Sequence, residues 1–168
     1  ADGGEKIAKY STIGSNPFAG FKCKGSNVEI FNKEGITHIE TTDPFKVLEQ
    51  QISKFSPVRV NGLPDFFGGA VGYTSYDSVR YVETLPDSTV DDLNLPDMYF
   101  MFYDETIVFD HLNKTIKVVC AAHIDERDIQ DIYEDAVNKI DNVTNKLRTP
   151  VMTLSDDITE KGELSLKF

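Results

Sequence analysis

The chain has 168 residues, enough for one domain with a real core. Hydrophobic residues make up 40% and charged residues 27%, which argues against wholesale disorder. The formal net charge of -11 opposes binding to nucleic acid or an anionic membrane, because phosphate recognition needs clustered Lys and Arg.

Acidity of this kind keeps a cytoplasmic protein in solution. Cys23 and Cys120 lie in apolar-rich stretches without CxxC spacing, so they read as free thiols in a reducing compartment. No run of about 18 apolar residues is present, and no membrane span is expected. The opening residues lack the apolar stretch of a signal peptide. They also lack an initiator Met, from which a portion of a longer polypeptide is expected.

Lys6 to Ile13 alternates loosely and ends at Gly14, before a turn at Ser15-Asn16-Pro17. Phe18 to Lys24 alternates again, with Phe18, Phe21 and Cys23 as candidate inward residues. Gly25-Ser26-Asn27 is turn chemistry. Val28 to Phe31 and Ile36 to Glu40 read as a hairpin around Asn32-Lys33-Glu34-Gly35. Thr41-Thr42-Asp43-Pro44 opens a helix, with a capping oxygen followed by a Pro suited to the first turn. Phe45, Leu48, Ile52 and Phe55 fall on one face of it, and Pro57 stops it.

Tyr99 to Asp110 and Thr115 to Ala122 read as two strands of a hairpin turning at His111 to Lys114. From Asp125 to Leu147 the residues Ile129, Ile132, Tyr133, Ala136, Val137, Ile140, Val143 and Leu147 form an apolar stripe of helical period. Acidic residues open that helix and Lys146 and Arg148 close it, as the helix dipole favours. Val151 to Glu163 reads as a linker, and Leu164 to Phe168 as a strand whose partner lies outside this sequence. The expected fold class is α+β, an antiparallel sheet with flanking helices.

Few motifs carry chemistry. Gly68-Gly69-Ala70-Val71-Gly72 could cradle a phosphate, but no Gly-Lys-Ser/Thr follows and the spacing is not GxGxxG. Close backbone packing between strands is the simpler role for these glycines. Asp91-Asp92 and Asp156-Asp157 lack a calcium-loop pattern and read as solvated turns. His38, His111 and His123 show no metal-ligand spacing, and no GxSxG elbow is present. On these residues alone the chain is a mixed α/β domain without a visible active site.

Two linked runs say more. FFGGAVGYTSYDSVRYVETLP, Phe66 to Pro86, resembles the amino-terminal region shared by the component I subunits of anthranilate synthase and aminodeoxychorismate synthase. DDLNLPDMYFMFYDETIVFDH, Asp91 to His111, is more similar to the anthranilate enzyme. Upstream, KIAKYSTIGSNPF is similar to the family's GRYSFIG-NP strand, and TTDPFKVLEQ to its Asp-Pro helix start. The resemblance covers about residues 1–148 in order, and 149–168 would be a linker and the start of a chorismate-binding half.

The resemblance implies that the complete enzyme turns chorismate and ammonia into anthranilate and pyruvate with Mg²⁺. It places the catalytic and Mg²⁺-binding residues in the chorismate-binding half, so no catalytic or metal residue is expected here. A glutamine amidotransferase, component II, would supply ammonia. L-tryptophan would inhibit the enzyme from a pocket that this region helps to form. The family's Leu-Leu-Glu-Ser segment would fall just before Ala1. The following strand, Lys6, Ile7, Ala8, Lys9, Tyr10 and Ser11, would line the pocket, with Lys6 matching a pocket lysine. Lys9 stands where Arg is common. Read from the residues alone, the same stretch is an ordinary strand. The folate-pathway sibling and a stand-alone small-molecule sensor are the alternatives.

Overall fold

The computed structural model describes residues 9–86 and 90–149. Lys6, Ile7 and Ala8, the Val151–Glu163 linker and the Leu164–Phe168 strand fall outside those residues. The described part is α+β, built from antiparallel sheets and a few helices.

The first strands follow the alternation of the sequence. They are β1 (Tyr10–Gly14), β2 (Ala19–Lys24), β3 (Asn27–Asn32) and β4 (Gly35–Glu40). Tight turns join the last three: Gly25 has φ +56° and Gly35 has φ +147°, conformations that glycine adopts without a Cβ clash. Helix α1 (Pro44–Ile52) is capped by the Asp43 carboxylate, which accepts from the Lys46 N–H at 3.1 Å, with Pro44 in the first turn. Strand β5 (Gly69–Thr74) precedes a short 3₁₀ helix, Tyr76–Tyr81. Then come β6 (Met98–Tyr103), β7 (Glu105–Asp110), β8 (Thr115–Cys120) and the long helix α2 (Ile129–Arg148).

Two sheets result. The larger has the order β4-β3-β2-β6-β5 and the smaller β1-β7-β8, every pairing antiparallel. The single strand expected from Tyr99 to Asp110 is in fact two. Asp104 bends the chain out of the larger sheet, and Glu105 begins the smaller one. An unbroken run of strand-forming residues conceals such a corner, because local propensity does not register a change of partner.

The core lies on one face of the larger sheet. Phe21, Cys23, Val28, Met98 and Phe102 meet Val47 and Leu48 of α1. Register places Phe21 beside Ile30 and Phe100, and Cys23 beside Val28 and Met98, so one set of alternate residues faces the helix. Each fully buried large side chain, such as Phe21 or Met98, contributes about 2 kcal/mol of transfer free energy. On α1 the inward residues are Val47 and Leu48. Phe45 and Ile52 are exposed, and Phe55 lies past the helix end. The buried face, Pro44, Val47 and Leu48, is thus rotated from the expected one and shares only Leu48 with it.

The opposite face of the larger sheet carries Phe31, Ile36, Val71, Tyr73, Tyr99 and Met101 by alternation. Tyr73 and Tyr99 stack with centroids 6.4 Å apart, and Phe31 lies 6.3 Å from Tyr99. Ile36, Val71 and Tyr73 are exposed there. The 3₁₀ helix is tied to the sheet through Tyr81, whose hydroxyl donates to Asp97 Oδ2 at 2.6 Å and also lies 2.9 Å from the Gly25 carbonyl.

The glycine-rich run is strand β5 itself rather than a loop before a helix. A Cβ on Gly72 would sit 1.9 Å from the Tyr99 carbonyl oxygen, so β5 packs on β6 where a side chain has no room. Gly69 has φ +125°. Both observations support the packing role over a phosphate cradle.

Candidate functional site

The expected site residues that are described lie at the end of β1. This strand pairs with β7, so Tyr10 is opposite Asp110 and Ser11 opposite Phe109. Alternation therefore sends Tyr10 and Ser11 to opposite faces of the smaller sheet. Tyr10 shares its face with Asp110, while Ser11 shares the other with Phe109. A continuous stretch of strand cannot put all of its side chains on one wall.

The turn from β7 to β8 completes this end of the sheet. The His111 N–H donates to the Lys9 carbonyl at 2.9 Å, and Ser11 Oγ lies 2.7 Å from His111 Nε2. Asp110 is buried, and its carboxylate accepts from the Asn113 N–H at 2.9 Å and from Asn113 Nδ2 at 2.8 Å. Lys117 Nζ is 3.8 Å from the same carboxylate. The Asn113 main-chain and side-chain donors, with Lys117 beyond them, hold the Asp110 carboxyl below the usual carboxylate range. Lys9 Nζ lies over the Tyr10 ring, 4.9 Å from its centroid. The Tyr10 side chain, aided by the Asp110 and Asp65 charges, holds the Lys9 ammonium above the usual lysine value.

The cluster thus offers a cation at Lys9, a hydroxyl–imidazole pair at Ser11 and His111, and a carboxylate at Asp110. The Asp110 oxygens are engaged by Asn113 and Lys117, so the Ser11–His111 pair is not extended into a nucleophilic triad by that carboxylate. Among the described residues there is no group of three or more His, Cys, Asp or Glu that could hold a metal ion. No described helix is long and apolar enough to cross a membrane. An open depression of about 440 Å³ beside the 3₁₀ helix is lined by residues 80–85. Its cation, Arg80, already binds Asp77 and the carbonyls of Leu85 and Pro86.

The profile of the chorismate binding enzyme family matches residues 5–162. The chain belongs to the chorismate-binding enzyme family. Within that family it is 36% identical over 146 residues to anthranilate synthase component 1 of Acetivibrio thermocellus, covering 87% of this chain and 29% of the relative. It is 34% identical over 158 residues to anthranilate synthase component 1 of Acinetobacter calcoaceticus, covering 89% and 31%. The crystal structure of anthranilate synthase component I from Streptococcus pneumoniae TIGR4 superposes with a TM-score of 0.70 at 26% identity, covering 90% of this chain and 34% of that one. This chorismate-binding family member therefore spans about three-tenths of the length of the curated relatives it matches.

His111, Asp110 and Asn113 are the members of the polar cluster that sequence reasoning did not select. His111 was noted as a turn residue. Its role depends on the partnering of β1 with β7, a pairing of residues far apart in sequence that no local pattern specifies.

Proposed function

We propose that this chain is the amino-terminal regulatory and scaffolding portion of an anthranilate synthase component I. The observation that carries the reading is the identity of 34–36% over nearly all of this chain to relatives of that name, in which it occupies about a third or less of the length. The Acetivibrio and Acinetobacter relatives bear the anthranilate synthase name, which favours that enzyme over the folate-pathway sibling.

In the complete protein, chorismate and ammonia become anthranilate and pyruvate. Mg²⁺ and the catalytic groups belong to the remaining chorismate-binding half, and component II delivers ammonia from glutamine. Mg²⁺ would supply charge stabilisation at the reacting oxygens of chorismate. The role of the present residues is to shape and regulate. The exposed apolar face at Ile36, Val71 and Tyr73 is a docking surface for that half. The cytoplasm is the compartment of this reading.

The end of β1 contributes to the feedback site for L-tryptophan. A zwitterionic amino acid needs a cation or donor for its carboxylate and an acceptor for its ammonium. Lys6 and Lys9 are the cations of the Lys6–Ser11 stretch, and Ser11 with His111 supplies a donor and an acceptor.

The test is to incubate the purified chain with chorismate, ammonium and Mg²⁺ and follow anthranilate fluorescence, with the full-length protein in parallel. The full-length protein should turn over and the chain alone should not. Sustained turnover by the chain alone would overturn this division of labour. A full-length protein that forms aminodeoxychorismate instead would move the assignment to the sibling enzyme.

A further inference from the structure

Asp104 is the whole link between β6 and β7, one of the two places where the chain passes between the sheets, the other being residues 15–18 between β1 and β2. The Asp104 residue is buried, with 4% of its surface exposed. A buried carboxylate needs charged or donating partners, because transfer from water is otherwise costly. Both partners come from beyond β8. Lys139 Nζ of α2 donates to Asp104 Oδ2 at 3.0 Å, and His123 Nε2 lies 3.5 Å from the same oxygen. Lys139 also lies 3.7 Å from Glu105 Oε1.

His123 is fixed from its other side. Its ring meets Phe18 edge-on at 4.7 Å and Phe55 at 5.5 Å, at the end of the core of the larger sheet. The polar contacts at this corner therefore join both sheets and the long helix.

Helix α2 is otherwise held by a narrow apolar seam, with Ala136, Val137, Ile140 and Val143 half-buried, and by the Asp135 carboxylate, 2.7 Å from Arg127 Nη1. Of its twenty residues Ile132 is the buried one. Ile129 is 70% exposed and Tyr133 63% exposed, although both lie on the expected apolar stripe. Beside the corner, an open depression of about 100 Å³ is lined by Asp104, Cys120, His123, Ile132, Ala136 and Lys139. Apolar burial along the helix is thus thin, and apolar packing is where a helix usually derives its attachment.

We propose that α2 is a releasable strap, clasped to the joint between the two sheets by the buried carboxylate of Asp104 through Lys139, with His123 as the second pin. Opening the clasp frees the helix while the sheets keep their own hydrogen bonds and core. Asp104 and Lys139 act as positioning residues for α2. This inference is independent of the tryptophan-site and enzyme assignments.

Hydrogen exchange of the 168-residue chain tests it, read by mass spectrometry on peptides from α2 and from β2, β3 and β6. Lys139→Met keeps the aliphatic stem and removes the clasp, and Asp104→Asn removes its acceptor charge. In each variant exchange across 129–148 should quicken on the order of tenfold or more, with the sheet peptides unchanged. Lys139→Arg should restore most of the protection. If α2 exchanges at the parental rate in Lys139→Met, the clasp does not hold the helix and the proposal fails. If sheet and helix peptides quicken by the same factor, Asp104 supports the whole fold and the strap does not exist. Should Asp104→Asn fail to fold, the two Lys139 variants decide alone.

Discussion

Ser11 Oγ and His111 Nε2 are 2.7 Å apart although 100 positions separate them in the chain. The contact exists because β1 pairs with β7, so the end of the first strand meets the turn that leaves β7. It is a tertiary property of the stretch proposed to bind the inhibitor.

That relationship makes the feedback-site reading testable in the full-length protein. Ser11→Ala removes one polar group that is not part of the core. It should raise the tryptophan concentration for half-inhibition about tenfold, the loss of roughly one good polar contact. His111→Ala should do the same, and neither should change uninhibited turnover. Inhibition curves check this, and parental sensitivity in both variants would return β1 to being an ordinary strand.

Asp110 gives a prediction about acid. Its carboxyl is held below the ordinary value, about 4, so the unfolded chain binds the proton more readily than the folded one. The stabilisation is therefore complete above the ordinary value and is lost as pH falls through the lowered one. Asp110→Asn should unfold more readily than the parent at neutral pH, and the gap should shrink on acidification. Urea melts across that range measure it. A gap that widened toward acid would contradict the sign.

Gly72→Val should be the most damaging glycine substitution in β5. The added Cβ meets the Tyr99 carbonyl and the Phe100 backbone, which cannot rotate away as a side chain can. A loss of about 3 kcal/mol or more is expected. Gly69→Ala is strained by its positive φ but has its nearest contact at 3.7 Å, so it should cost less, about 1 kcal/mol. Thermal melts of the two variants should rank in that order. Equal stability to the parent for Gly72→Val would mean that β5 does not lie on β6 as described.

The open face of the larger sheet predicts dye binding. The chain alone should enhance the fluorescence of a hydrophobic dye, and Val71→Ser with Tyr73→Ser should reduce that signal without lowering the melting temperature by more than a few degrees. Full-length protein should bind less dye than the chain. A dye-silent chain would remove the docking role proposed for this face.

Much of the local architecture was legible from the residues. Alternation in Phe18 to Lys24 located Phe21 and Cys23, which are fully buried. The Asp43-Pro44 start of α1 and the turn at Asn32 to Gly35 are where their chemistry placed them. For α2 the helical period was right, but the start was early. The helix is capped by Asp128, while Asp125 pairs with Arg127 before it. Several acidic residues in succession can each serve as a cap, and the sequence does not rank them.

Sequence by itself determined the class of the fold, most strand and helix positions, the packing role of the β5 glycines and the family. Each of these depends on local period, turn chemistry or a linked set of motifs. Tertiary structure alone decided that Tyr99 to Asp110 breaks at Asp104, that β1 lies beside β7, and that His111 joins Ser11. It also decided that Lys139 and His123 converge on a buried carboxylate. The physical reason is common to all four. Which strand lies beside which, and which charge meets which across a corner, follows from burial and pairing over long separations, and no local window of residues contains that information.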